Sequence, residues 1–241
     1  MPDKPLLDFV DSFWMLHNPD DSDKQVVILP DGRVDVFFSE SATESFHVTV
    51  LGIGTTPEQA TIKADRKTFA ISFKPLATEY ILKMSVSDLL NKGANLPKNF
   101  WGFSTIDLED FDLFCKKATR HIKALLPKEP DCRKQKLFDL LFSSNGALSV
   151  GELAEKVSWS SRQINRYFNR HYGISLKAYC NILRFRASFQ QIKDGRLFPE
   201  QNFADQAHFI KEVKRLAGVN PKQLAQNQND RFIQFSTLHN Q

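Results

Sequence analysis

The chain has 241 residues, 41% hydrophobic, 25% charged and 12% aromatic, with 10 Gly and 11 Pro, a composition that excludes disorder as its main state. No apolar run approaches the roughly 18 residues of a bilayer span, and Met1-Pro2-Asp3-Lys4 lacks the basic and then apolar profile of a secretory signal, so a cytoplasmic protein is expected. The net charge of +4 is uneven: residues 1–130 hold 15 Lys+Arg against 19 Asp+Glu, and residues 131–241 hold 17 against 9.

In the acidic half, Val26 to Leu29 and Val34 to Phe38 are β-rich runs joined by Pro30-Asp31-Gly32, which predicts a hairpin. Phe46, Val48 and Val50 alternate with His47 and Thr49, and Phe69, Ile71 and Phe73 alternate with Ala70 and Ser72. Period two predicts a sheet with one buried face. Asp31 and Asp35 flank the expected hairpin; paired carboxylates are the chemical reading, and turn chemistry is preferred. Phe13, Trp14 and the strand phenylalanines suit a filled core better than an effector pocket.

After Lys74-Pro75 the spacing becomes helical, in Tyr80, Ile81, Met84 and again in Leu108, Phe111, Phe114, Cys115, Ala118, Ile122. These helices are expected to cover or leave the sheet. The stretch L-P-K-E-P-D from Leu126 to Asp131 is read as a boundary between domains at 1–128 and 129–241.

The basic half reads as helical from Lys134, with a first apolar stripe of Leu137, Leu140 and Leu141 ended by Ser143-Ser144-Asn145-Gly146. Displaced by 45 residues it matches itself: Ile164 meets Phe209, Arg166 Lys211, Phe168 Val213, Arg170 Arg215, Gly173 Gly218, Ile174 Val219 and Lys177 Lys222. In the first copy, Ser149 with Glu152 and Ser160 with Gln163 form capping boxes, with a break at Ser158 and Trp159. That pattern is a helix-turn-helix. Leu153, Ala154 and Val157 would pack on Ile164 and Phe168, leaving Arg162, Arg166 and Asn169 on the free side. Guanidinium forks and amides match the edges of guanine and adenine, and concentrated positive charge suits a polyanion.

At these residues the chain resembles the AraC/XylS transcription regulators, over about Lys134 to Leu224. The stretch from Leu148 to Tyr179, L-S-V-G-E-L-A-E-K-V-S-W-S-S-R-Q-I-N-R-Y-F-N-R-H-Y-G-I-S-L-K-A-Y, is similar to the family's first unit. The stretch N-F-A-D-Q-A-H-F-I-K-E-V-K-R-L-A-G-V-N-P-K-Q-L from Asn202 is similar to the end of its second. The resemblance implies base reading in the major groove by Arg162, Asn165 and Arg166, with Gln206, His208 and Lys211 in the corresponding places of the second unit and Phe203, Phe209 and Val213 as core. It also implies a connecting helix from Leu176 to about Ile192. Gly195 and Pro199 depart from the family pattern, so the first helix of the second unit is expected to be short or irregular.

The acidic half, with I-L-P-D-G near residue 30 and I-S-F-K-P near residue 73, more loosely resembles N-terminal domains of such regulators, which sense a small molecule or pair subunits. The expected class is α+β: a β-rich domain, barrel-like or sandwich, with covering helices, then an all-α domain of two helix-turn-helix units joined by a long helix. The expected function is sequence-specific, DNA-binding transcription regulation, as an activator or a repressor. The expected partners extend from double-stranded DNA to RNA polymerase, a small-molecule effector and a homodimer. The alternative is a protein- or RNA-binding module with a basic helical half.

Enzyme and metal readings find no support. His17, His47, His121, His171, His208 and His239 form no H-x-H or H-x-x-x-H pair, and Cys115, Cys132 and Cys180 form no C-x-x-C pair, so no metal, cofactor or disulfide is expected. There is no G-x-S-x-G, P-loop or G-x-G-x-x-G motif, so no catalytic residue is assigned.

Overall fold

The computed structural model describes residues 2–237, so His239 lies outside the described residues. The N-terminal half runs through β1 (Val10–Asn18), β2 (Lys24–Ile28), β3 (Val34–Glu40), β4 (His47–Leu51), β5 (Glu58–Ile62) and β6 (Arg66–Phe73), then α1 (Leu76–Tyr80), β7 (Gly93–Asn95) and α2 (Phe111–Leu125). Five strands make one antiparallel sheet in the order β1-β6-β3-β4-β7, and β2 with β5 makes a second. The architecture is the expected α+β.

The expected hairpin between β2 and β3 does not form. β2 pairs with β5, Val26 opposite Ala60, while β3 lies between β4 and β6. A two-residue hairpin of type I′ needs positive φ at both central residues; Gly32 supplies one, at +77°, and Asp31 does not. Pro30-Asp31-Gly32 therefore carries the chain from one sheet to the other, with Asp31 Oδ1 accepting from the Arg33 amide at 3.0 Å.

The one-faced burial expected of β6 is also overturned, since every residue from Thr68 to Phe73 is buried. Phe69, Ile71 and Phe73 lie on the face covered by α2, where Phe114 stands 5.4 Å from Phe69 and 5.1 Å from Phe38. Ala70 and Ser72 lie on the other face, under Trp14 of β1 and beside Asp35 of β3. α2 keeps its helical register through the Asp110 cap, which accepts from the Leu113 amide, and buries Phe114, Ala118 and Ile122.

A helix-free stretch at residues 126–131 leads into α3 (Cys132–Ser143), α4 (Val150–Val157), α5 (Ser161–Tyr172), α6 (Leu176–Ala187), α7 (Phe189–Lys193), α8 (Gln206–Ala217), α9 (Pro221–Gln226) and α10 (Ile233–Thr237). The connecting helix expected from Leu176 to about Ile192 is broken at Ser188. Its buried hydroxyl donates to the Phe185 carbonyl at 2.7 Å, a local bond that competes with the helical ladder.

Residues 194–205 contain no helix. Gly195 sits at φ +77°, Arg196 bridges Asp194 and Glu200, and Pro199 lacks an amide donor. The second unit therefore keeps α8 and replaces the helix before it with a pinned loop. One apolar core runs continuously from the sheet into the helices.

Candidate nucleic-acid interface

Both capping boxes of the first unit form. The Ser149 hydroxyl accepts from the Glu152 amide at 3.2 Å while Glu152 accepts from the Ser149 amide at 2.8 Å; Ser160 and Gln163 repeat the pair at 3.2 and 2.8 Å. Ser158, at φ +55°, makes the turn between α4 and α5. Leu153, Ala154, Val157, Ile164 and Phe168 are all buried, which fixes the face that α5 turns outward. Arg162, Arg166 and Asn169 are exposed there, one turn apart, and among the described residues their side chains have no hydrogen-bond or ionic partner.

Asn165 differs from them. It is half-buried, its amide nitrogen donates to the Ser161 carbonyl at 3.0 Å, and its amide oxygen accepts from the Leu176 amide at 3.2 Å. Those bonds tie α5 to the start of α6.

In the second unit, Asp205 caps α8 by accepting from the His208 amide at 2.7 Å. The His208 ring is committed locally: Nδ1 accepts from the Ala204 amide at 3.3 Å, and the ring meets Phe203 edge-on at 5.8 Å. Gln206 and Lys211 are exposed. Phe209 and Val213 are buried and Phe203 is half-buried against Phe209. Glu212 is held by Arg215 at 2.8 Å and by Asn181 of α6 at 3.1 Å, and Arg184 donates to the Asn202 carbonyl at 3.0 Å. Polar bonds to α6 thus do what a packed preceding helix does in the first unit. The repeat survives in the caps, with Gly173 at φ +70° and Gly218 at +74°.

The N-terminal half grips the basic half at several points. The Val86 amide donates to the His171 carbonyl at 2.9 Å, the Ser85 hydroxyl donates to the Arg170 carbonyl at 3.1 Å, and a Cβ on Gly173 would stand 2.5 Å from the Ser87 carbonyl. Tyr167 donates to Glu79 at 3.2 Å, and Glu79 also pairs with Lys134. Tyr179 of α6 donates to the Gly32 carbonyl at 3.0 Å. At the chain's far end, the Gln234 side chain exchanges bonds with Leu29 at 3.0 and 2.9 Å.

Beside Gly32 lies an ionic cluster that sequence reading only half found. Asp31 does make the expected turn bond, but Asp35 is half-buried on β3 and accepts from the Ser72 hydroxyl. Asp11 and Arg33 complete the cluster from within the N-terminal half, and Arg186 reaches it from α6. Burial pushes Asp31 up to about 6 and Asp35 up to about 8. The available signal was an acid in the otherwise apolar strand Val34–Phe38, which burial would oblige to find a partner.

Two concavities bear on a ligand site. A cavity of about 30 Å³ between Leu29, Asp31, Arg33, Asp35 and Glu58 has room for a water and not for an organic effector. A cleft of about 780 Å³ between β1 and α2 is lined by Phe13, Phe111, Cys115 and Thr119, with Lys116 and Arg120 at its rim. Trp14 turns to the opposite face of the sheet, its Nε1 donating to Ser72 at 2.9 Å. Cys180 is buried, Cys115 half-buried and Cys132 exposed. Among the described residues, no group of three or more His, Cys, Asp or Glu side chains is placed to hold a metal ion, and no helix is long and apolar enough to cross a membrane.

A family model described as a domain of unknown function, DUF6597, matches residues 1–95, which span β1 to β7. No curated protein matches the chain. Among solved structures, ToxT from Vibrio cholerae is similar at 11% identity and a TM-score of 0.49, over 89% of this chain and 98% of that one. ToxT from Vibrio cholerae with a bound unsaturated fatty acid is similar at 10% identity and a TM-score of 0.49, over 92% of this chain and 98% of that one.

Proposed function

We propose that the chain is a sequence-specific, duplex-DNA-binding transcription regulator of the AraC/XylS kind, acting without catalysis in the cytoplasm. One observation carries this reading: α5 begins at a capped turn, buries Ile164 and Phe168 in the helical core, and presents Arg162, Arg166 and Asn169 outward with no internal partner among the described residues. Exposed guanidiniums on a rigid helix can pair with both acceptors of guanine, and the positive balance of residues 131–241 supplies phosphate attraction. Asn165 and His208, already bonded within the chain, orient the reading helices, and Gln206 and Lys211 face the nucleic acid from α8.

The N-terminal half serves as the regulatory part. Its contacts with α5, α6 and α10 give a small-molecule effector, or pairing of two copies, a physical route to the reading helices. The β1–α2 cleft has the volume of a small-molecule site. Contact with RNA polymerase, as an activator, belongs to the same reading. Selection by the full-length chain from random duplex DNA tests it: a recurring sequence is expected, and retention of random duplexes without enrichment would overturn it.

A further inference from the structure

Where the two halves meet, three carboxyl groups face two guanidiniums. Asp11 of β1 lies between both cations, with Oδ1 2.7 Å from Nη2 of Arg33 and Oδ2 2.7 Å from Nη2 of Arg186 on α6. Asp31 accepts the Arg33 amide. Asp35 has no hydrogen bond or ion pair to either cation; the Ser72 hydroxyl donates to it, and Ser72 in turn accepts from Trp14 Nε1. The Arg33 side chain is 3% exposed, and its Nε and Nη1 are buried without a hydrogen-bond partner among the described residues.

The remaining charged or titratable groups around Asp35 do not supply a third cation in contact. Tyr179 comes from α6 and is bonded to the Gly32 carbonyl. Glu58 of β5 stands on the cavity wall. Lys74, beyond β6, lies over the Phe142 ring at 4.9 Å, with Asp11, Asp8 and Asp139 as its acidic neighbours. With no cation in contact with it, a negative charge on Asp35 would lack an ionic partner. Asp35 is the carboxyl with neither a cation nor a backbone donor, so it carries the proton.

We infer that Asp35 operates a proton-controlled clasp on α6. With Asp35 protonated, Arg33 stays on Asp11 and holds that carboxylate against Arg186. Loss of the proton places a carboxylate held by Ser72 alone two residues along the chain from a guanidinium with two unused donor nitrogens. Arg33 turns toward it, Asp11 loses its buried anchor, and the neighbouring Gly32 carbonyl shifts away from Tyr179. Two polar fastenings of α6 on the N-terminal half, Tyr179 on Gly32 and Arg186 on Asp11, depend on where Arg33 points. Burial and the nearby charge of Asp31 put this change near the neutral to alkaline boundary, since Asp35 is pushed up to about 8. Because α6 leads from α5 toward α8, the clasp would set the placement of both reading helices; that last link alone rests on the DNA-binding reading.

The test is amide hydrogen exchange on the full-length protein at about pH 7 and about pH 9, corrected for intrinsic rates, with α2 as internal reference. Protection in α6 is expected to fall at least several-fold relative to α2 in the wild type, and to stay level in Asp35→Asn, which imitates the protonated acid. If Asp35→Asn does not fold, Ser72→Ala replaces it; losing a donor to the carboxylate should move the change to higher pH. An equal change in α2 and α6, an unchanged α6 in the wild type, the same response in Asp35→Asn, or an unmoved midpoint in Ser72→Ala would each overturn the clasp. None of these readouts involves DNA.

Discussion

Tyr179 and Gly32 meet across the two halves at two points: the phenol donates to the Gly32 carbonyl at 3.0 Å, and a Cβ on Gly32 would stand 3.1 Å from Tyr179 Cε2. Gly32 also sits at φ +77°, where a side chain is strained regardless of space. Gly32→Ala is therefore expected to lower stability by about 1–3 kcal/mol, measured by urea denaturation. A change within about 0.5 kcal/mol would show that this turn relaxes freely.

The first helix-turn-helix unit separates its scaffold from its surface. Ile164 is fully buried and Arg166 exposed on the same helix. Ile164→Ala should cost about 2–5 kcal/mol of stability, whereas Arg166→Ala should leave the melting temperature nearly unchanged and remove about 1–3 kcal/mol of discrimination at one or two base pairs. Comparable thermal damage from both substitutions would contradict the assigned faces.

The second unit predicts a different pattern. With residues 194–205 pinned as a helix-free loop before α8, the placement of Lys211 is set by the buried Phe209, Val213 and Leu216 together with bonds from Glu212, Asp205 and Arg184 to their partners, without a preceding helix packed on it as α4 is on α5. Lys211→Ala should weaken binding to all duplexes about evenly and lower the salt slope by about one. A sharp loss at a single base pair, measured over a panel of point changes in the selected site, would show that α8 reads bases as firmly as α5.

The two half-buried acids predict the direction of a pH profile. Asp31 and Asp35 are raised, to about 6 and about 8, above the usual 3.8 of the unfolded chain. Between the unfolded and folded values the native state holds the extra protons, so stability is greatest below the unfolded value and is lost as pH rises through the folded ones. These two acids should withdraw stability from about pH 4 to about pH 8, by up to about 1.4 kcal/mol per pH unit for each acid holding a proton, while His121 and His171, held below the usual imidazole value by burial, act in the opposite sense. The wild type should therefore lose stability relative to Asp35→Asn as pH rises toward about 8. A wild type that gains stability relative to Asp35→Asn over this range would contradict the protonated assignment.

Much of the basic half was legible because its signals are local. Ser149 with Glu152, Ser160 with Gln163, and the stop at Gly173 act within one or two turns, so the sequence alone places them. The disturbance near Gly195 and Pro199 was legible for the same reason. The partner of β2 was not, because the propensities of Val26 to Leu29 fit equally well beside β3 or beside β5. Nor was the cluster at Asp35. Arg186 lies 175 residues from Asp11 in sequence, and only the packing of α6 onto the sheet brings them to 2.7 Å. Asn165 shows the limit of a surface pattern: helical spacing places it near the reading face, while its amide is taken by Ser161 and Leu176.

Equilibrium binding of the full-length chain to its selected duplex and to a shuffled duplex of equal composition, followed across salt, tests the central claim most directly. If about six phosphates are neutralised, the log of affinity should fall against the log of salt with a slope near −5. The selected site should be preferred by a factor on the order of a thousand or more. Equal affinity for both duplexes, salt-insensitive binding, or a preference for RNA over either would contradict it.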